Sequence, residues 1–342
     1  MKKVRVAVIG CGVIGPTHLS CYQNNPHAQI VATCDLVEEK AKAAAERFGA
    51  LSWTTRVADV FADPAVDAVS ICTDHASHAA LACAALAAGK HVLCEKPLAR
   101  TPADLAKMLA AAKAHPELVA SGVFQHRFEP MPRELRKVIA EGKLGTLLTV
   151  SGLHNCHRSA EYFRADAWRG TMKGEGGSVL INQSIHFFDQ LIWLVGGIRR
   201  IRSLQANLGH RGIIETEDTL AAALEFDCGA LGTYLCTNAS HQNWTWRLAF
   251  DGTRGTVVIH DNAIERCEFA DAKTQASVRA RLEKALNIRA DAKGKVYYGE
   301  GHQGQIDDFV RAVSGGKAPY VSFASAAETV RWVFAAYQSA KR

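Results

Sequence analysis

Through the first 122 residues, short apolar runs alternate with stretches of helical spacing. VRVAVIG, QIVATCD, VDAVSIC, KHVLCEK and ELVASGV are β-branched and apolar on both faces, as strands covered on both sides of a parallel sheet must be. Between them lie EEKAKAAAERFG, SHAALACAALAAG and PADLAKMLAAAKAH, two of which end at glycine, where a left-handed residue stops a helix. Strict alternation of this kind predicts βαβ units with right-handed crossovers, a doubly wound parallel sheet of the Rossmann type.

After residue 145 the period changes. LLTVSGLHN, IRSLQANL, TLAAALEF, ALGTYLCTN, WTWRLAFDG, GTVVIHD and AIERCEF alternate apolar with polar positions, and turn residues at Asp227 to Gly229 and Asp251 to Gly252 predict hairpins. These runs predict an α+β domain with a large, mainly antiparallel open sheet. Residues 270 to 298 are Ala- and charge-rich and read as a loose helix. Two further helices are expected near 302 to 314 and 323 to 340. The fold expected is therefore α/β, with a dinucleotide-binding domain over 1–122 and a substrate-binding and oligomerisation domain over 123–342, whose last helix packs back on the first.

One segment breaks the pattern in an informative way. GGSVLINQSIHFFDQLIWLVGG, 176 to 197, reads as a single helix between glycines. Ile181, Ile185, Phe188, Ile192 and Val195 form one stripe, widened by Leu180, Phe187, Leu191 and Leu194. Asn182, His186, Asp189 and Gln190 fall on the opposite side, which must face either water or a cleft.

A chain of 342 residues exceeds what one core ordinarily serves, in keeping with two domains. The net charge of +6 is spread without a dense basic run, so a solvated surface is expected and no nucleic-acid partner. Ten scattered cysteines without a C-x-x-C pair suit reduced thiols and a cytoplasmic setting. The start, MKKVRVAVIGCGVIG, imitates a secretory signal, but Arg5 interrupts its apolar run and no small-x-small site comes after it. No run approaches 18 uninterrupted apolar residues, so no membrane span is expected.

The glycines have a better explanation. Gly10, Gly12 and Gly15 spell G-x-G-x-x-G between the first strand and a helix, and Asp35 ends the second strand twenty residues beyond Gly15. The glycines let the backbone approach a pyrophosphate that the helix N-terminus attracts, while Asp35 can hold the ribose hydroxyls. Asp35 would repel a 2′-phosphate, and Leu36 stands next to it where an arginine would have welcomed one. NAD is expected in preference to NADP. Further along, HVLCEKPLA ends a strand at Glu95, Lys96 and Pro97. Ligands of open parallel sheets lie beyond the carboxyl ends of the strands, so Lys96 is expected to point towards the nicotinamide, its charge favouring a developing alkoxide.

The glycine pattern, EKPLA and GGSVLINQSIHFFD, in this order and spacing, resemble the Gfo/Idh/MocA family of sugar and polyol oxidoreductases. The resemblance extends to SHAALACAALAAGKHVLCEKPLA and the closing QIDDFVRAV, nearly the whole chain. It implies a Lys-Pro peptide that is frequently cis, an open sheet that often mediates oligomers, here a homodimer or homotetramer, and hydride transfer without a metal. In that family the helix commonly carries Asp and, four residues later, His. His186 matches the histidine and is expected to act as general base on a sugar hydroxyl, a role suited to imidazole, whose ordinary pKa is roughly 6.5. Asn182 departs from the commoner Asp: an amide can orient a hydroxyl but carries no charge. We read the change as marking a subclass.

The catalytic set expected is thus Lys96, His186 and Asn182. The cofactor is expected against Gly10, Gly12, Val13, Ile14, Gly15, Asp35, Thr73, His78, Glu95 and Lys96, and the resemblance adds Trp168 and Arg169. Substrate is expected at Gln125 and Arg127 in GVFQHRFEP, Tyr162 in EYFRADAWRG, Asn182, His186 and His302. HNCH, with His154, Cys156 and His157, invites a metal, but in a strand the first two face one side and the third the other, so none is expected. The activity implied is NAD-dependent oxidation or reduction at a secondary hydroxyl or ketone of a sugar, sugar derivative or cyclitol. Two alternatives stand beside it: a redox-neutral glycosidase that retains NAD and works by oxidation and elimination, and a non-catalytic NAD-binding protein.

Overall fold

The computed structural model describes residues 3–288 and 301–340. In chain order the first part runs β1 (Val4–Ile9), α1 (Gly15–Asn24), β2 (Ala28–Cys34), α2 (Glu38–Phe48), β3 (Ser52–Thr54), α3 (Val57–Ala62), β4 (Ala68–Ile71), α4 (His75–Ala87), β5 (His91–Cys94), α5 (Pro102–Ala114) and β6 (Ala120–Gly122). The second part holds α6 (Pro130–Ala140), β7 (Leu147–Asn155), α7 (Ala160–Arg164), α8 (Ile185–Val195), β8 (Ile198–Ala206), β9 (Thr219–Phe226), β10 (Leu231–Thr237), β11 (Thr245–Gly252), β12 (Gly255–His260), β13 (Ala263–Phe269) and α9 (Ala272–Leu286). Then come α10 (Gly301–Gly315) and α11 (Phe323–Ser339).

Two compact units result: Met1–Gln125 with Asp291–Glu328, and His126–Ala290 with Thr329–Arg342. In the first, six parallel strands lie in the order β3-β2-β1-β4-β5-β6. The strand that the pattern does not announce is β3, three largely exposed residues at the sheet edge, too short to show a period. A single cut after residue 122 is not how the chain divides, because α10 presents Ile306, Phe309 and Val310 to the core formed by Val6, Val8, Leu19 and Tyr22. Three- and four-residue spacing of those apolar side chains gives α10 the stripe that a core-facing helix needs.

The second unit is built on a seven-stranded sheet in the order β13-β12-β11-β7-β10-β9-β8, antiparallel except where β10 pairs with β7. All seven alternating runs of the sequence are strands. One face carries the buried set, among it Leu220, Leu224 and Phe226 of β9, while Leu204, Leu231 and Leu235 are exposed. The Asp227 to Gly229 turn forms, with Gly229 left-handed at φ +89°. Asp251 and Gly252 do not form the second one: both extend β11, and the chain reverses at Thr253 and Arg254. A tighter turn lies at Asp261 and Asn262, both at positive φ, between β12 and β13, the backbone a two-residue hairpin requires. The helix expected in the Ala-rich stretch is α9; the part of that stretch beyond residue 288 lies outside the described residues.

Candidate functional site

The glycine loop between β1 and α1 is shaped by close backbone packing. Gly10 has φ +95°, and a Cβ there would come within 2.5 Å of the Cys72 carbonyl oxygen. One on Gly15 would come within 2.2 Å of the Gly10 carbonyl oxygen, whereas at Gly12 nothing lies within 4 Å. Two glycines thus fold the loop and the third leaves open space over it. Helix α1 starts with Pro at its first turn and no side chain caps its N–H groups, which suits a phosphate. Asp35, just past β2, accepts the Cys11 N–H at 2.8 Å through one oxygen and the Val37 N–H at 2.9 Å through the other. Its carboxylate therefore pins the glycine loop to the strand end. Beside it Leu36 is 93% exposed. These residues fit a dinucleotide: backbone donors for the pyrophosphate and an acid at the second strand, with Leu36 rather than a cation next to it. Gly10→Ala is expected to cost about 1–3 kcal/mol through overpacking and to weaken NADH binding. Thermal unfolding and a fluorescence titration check this; wild-type values in both would show that the loop tolerates a side chain.

At the carboxyl end of β5, Glu95 is buried, Lys96 half-buried, and the Lys96–Pro97 peptide is cis. Glu95 takes the His18 Nε2 at 2.9 Å on one oxygen and the Lys96 N–H at 3.1 Å on the other. Thr73, after β4, receives the Ser77 hydroxyl at 2.7 Å. His78, expected against the cofactor, is buried, with Nδ1 2.8 Å from the Pro97 carbonyl and Nε2 3.2 Å from that of Thr73, and burial lowers its pKa. The neutral ring donates to the nearer carbonyl, so His78 holds the Pro97 loop. His302, expected at the substrate, is buried in the first unit with Nε2 4.0 Å from Glu95.

In the second unit the expected helix over 176–197 is two elements, a π-type turn over Val179–Gln183 and then α8. The cause is distant in sequence. Buried Glu217 accepts the N–H groups of Ser178 at 3.1 Å and Leu180 at 3.2 Å, and the Tyr337 hydroxyl at 2.7 Å; that hydroxyl in turn accepts the Ile181 N–H at 3.2 Å. Amides that would have entered a helical ladder are held by side chains, and Ser184 reaches back to the Val179 carbonyl at 2.8 Å. Gly177, at φ +151°, lets Tyr337 in: a Cβ there would stand 2.3 Å from its hydroxyl. Gly196, left-handed, ends α8.

The polar side of this segment is buried rather than wet. Asn182 and His186 are 9% and 8% exposed. The Asn182 amide N–H donates to Glu175, a fully buried carboxylate that also accepts the Gly170 N–H. The His186 ring meets the His126 ring edge-on, centroids 5.1 Å apart, and His126 Nδ1 lies 2.7 Å from Glu129. Asp189 accepts Arg127 Nε at 2.8 Å and the Thr329 hydroxyl at 2.6 Å. Arg127, expected as a substrate clamp, thus has its fork on a buried carboxylate and anchors α8.

Tyr162 accepts the Gln183 amide at 3.2 Å, and its ring lies 4.0 Å under the Arg169 guanidinium and 5.1 Å under that of Arg158. Arg169 also pairs with Asp166 at 2.7 Å, and Trp168 is half-buried beside it. Gln125 is buried in the first unit, its carbonyl so close to Gly301 that a Cβ there would meet it at 1.8 Å. His154 and Cys156 are buried and His157 is exposed, with Nδ1 on the Ser240 carbonyl at 3.0 Å. Their ligand atoms do not converge. His154, between the rings of Phe187 at 4.6 Å and Trp244 at 4.7 Å, has its pKa pushed down to about 3 by burial. Sequence reasoning does not find His18, Glu175 or Glu217. A buried acid next to Asn182 has one faint sign, the single charge in GEGGS.

Comparison with known proteins bears on the fold. Residues 4–123 match the family described as an oxidoreductase family with an NAD-binding Rossmann fold, and residues 136–342 match its C-terminal alpha/beta domain. The levoglucosan dehydrogenase of Pseudarthrobacter phenanthrenivorans is 27% identical over 95% of this chain and 93% of its own. An inositol 2-dehydrogenase of Corynebacterium glutamicum is 32% identical over 67% of this chain and 66% of its own. The crystal structure of the WlbA dehydrogenase from Bordetella pertussis, in complex with NADH and UDP-GlcNAcA, superposes with a TM-score of 0.90 at 28% identity, covering 99% of this chain and 96% of that one.

Proposed function

The chain belongs to the Gfo/Idh/MocA family of oxidoreductases, and from that premise we propose an NAD-dependent dehydrogenase acting at a secondary hydroxyl or ketone of a sugar, sugar derivative or cyclitol. The observation that carries the reading is the buried pair Asn182 and His186, one turn apart at the irregular start of α8. An imidazole kept from bulk water on a rigid support is what proton abstraction from an alcohol needs. The first domain holds the dinucleotide, through the glycine loop and Asp35, and the second holds the substrate. When bound, NAD supplies the hydride acceptor or donor.

His186 takes the hydroxyl proton in oxidation and returns it in reduction. Lys96 places a positive charge against the oxygen as negative charge develops there. Asn182 orients the alcohol by hydrogen bonding, with its amide N–H turned to Glu175. Tyr162 offers a ring to the apolar face of a sugar, and Trp168 with Arg169 borders cofactor or substrate. The partner is a small molecule, not nucleic acid or membrane. Ten cysteines without a disulfide support the cytoplasm, and the exposed Leu204, Leu231 and Leu235 of the sheet support a homodimer or homotetramer. No helix among the described residues is long and apolar enough to cross a membrane.

Absorbance at 340 nm across a panel of sugars and cyclitols tests the reading. NADH should accumulate with at least one of them, and Lys96→Met should suppress the chemical step at least about a hundredfold while NADH still binds. Release of an aglycone without NADH would favour the retaining glycosidase, and binding without turnover on any sugar would favour a non-catalytic NAD-binding protein.

A further inference from the structure

We propose that His18 and Glu95 are positioning residues for Lys96: a buried imidazole on the helix that opens the glycine loop grips the carboxylate next to the lysine and fixes the backbone that carries its amine. The inference rests on Lys96 acting as read above. Three segments of the first unit meet here. His18, on α1 and fully buried, places Nε2 2.9 Å from Glu95 and Nδ1 3.2 Å from the Ser70 hydroxyl on β4. That hydroxyl lies 2.7 Å from the Tyr22 hydroxyl. Because the carboxylate only accepts, His18 Nε2 donates to it, and the Ser70 hydroxyl links the ring to Tyr22.

Both oxygens of Glu95 are engaged, the second by the Lys96 N–H at 3.1 Å. Burial alone would push this carboxyl up, but the His18 hydrogen bond and charge, with His302 and Lys96, hold it down at about 2. It is therefore ionised throughout the neutral range. His78 holds the next carbonyl, that of Pro97, at 2.8 Å. Residues 95 to 97 are fastened from α1 on one side and α4 on the other. The Lys96 side chain starts from this fastened backbone, so its direction is set by its neighbours. The same imidazole ties that direction to the helix whose first turn faces the dinucleotide, so a lysine misplaced by about 1 Å is the expected cost of cutting the tie.

His18 Nε2, a Glu95 oxygen and His302 Nε2 also lie within 4.8 Å of one another, a spacing three metal ligands can have. The 2.9 Å contact is the length of a hydrogen bond, and an ion would have to displace its proton. The proposal thus requires activity that survives a chelator.

The experiment compares kcat, KM, NADH affinity and the pH profile of His18→Leu, His18→Gln and Ser70→Ala with wild type and with Lys96→Met, each with and without EDTA. His18→Leu should lower kcat on the order of tenfold to a hundredfold, with NADH affinity changed less than about threefold. Burial is then opposed only by His302 and Lys96, the Glu95 carboxyl rises, and the profile gains a limb that rises with pH as it ionises. His18→Gln, whose amide N–H reaches the same oxygen, should recover most of kcat and lose the limb. If His18→Leu does not fold, Ser70→Ala, which releases only the far side of the imidazole, should show a weaker version of the same limb. An unchanged kcat and profile in the folded variant, beside an inactive Lys96→Met, overturns the positioning role. Loss of wild-type activity in EDTA overturns it in favour of a metal. A fully active Lys96→Met instead overturns the function assigned to the lysine.

Discussion

His186→Gln is expected to lower kcat by on the order of 10²- to 10⁴-fold, the range in which a positioned acid or base contributes, with NADH affinity at its wild-type value. Glutamine keeps a hydrogen-bonding end of similar reach but cannot take a proton, so the loss isolates proton transfer from orientation. The NADH titration is expected to hold because the glycine loop and Asp35 are built entirely within the first unit. Stopped-flow absorbance on the best substrate of the panel measures the step directly. A kcat within about threefold of wild type would remove His186 from the proton's route.

Asn182 sharpens the expectation. An aspartate there would set its charge one turn from the imidazole; here a neutral amide stands in that place, hydrogen-bonded to Glu175. Glu175 is fully buried and holds a backbone N–H besides, so it is a fixed support for the amide and not a mobile base. An imidazolium formed at His186 is stabilised less than it would be by a contacting carboxylate, since Coulomb attraction falls with distance.

How much of this is legible in the sequence depends on the range of the forces involved. Both sheets are, because a strand's burial is written in its own alternation: LLTVSGLHN and AIERCEF are β7 and β13 to the residue. The glycine loop is legible because its steric demands arise within a few residues. The break in the helix at 176–197 is not. Its apolar stripe is continuous, and what breaks it is Glu217 and Tyr337, which lie 37 and 156 residues away from the amides they hold. For the same reason Arg127 reads as an available clamp. Its partner Asp189 stands 62 residues on, and nothing local distinguishes an arginine that awaits an anion from one already holding a carboxylate.

That buried pair carries the largest expected effect on stability. Asp189→Ala should destabilise the protein by about 3–5 kcal/mol, because it leaves the Arg127 guanidinium buried without the carboxylate opposite it. Asp189 is 1% exposed and receives Arg127 Nε at 2.8 Å and the Thr329 hydroxyl at 2.6 Å, so one substitution cuts α8 loose from both the turn that carries Arg127 and Thr329 of α11. Urea unfolding followed by tryptophan fluorescence measures it, as a lower midpoint at unchanged slope. Asp189→Asn separates shape from charge. The amide fills the same space and still accepts from Arg127 through one oxygen, yet leaves the cation uncompensated, so most of the loss should remain. If the asparagine variant unfolds at the wild-type midpoint, the pair acts by hydrogen-bond geometry alone, and the polar side of α8 is held in place without the help of its charge.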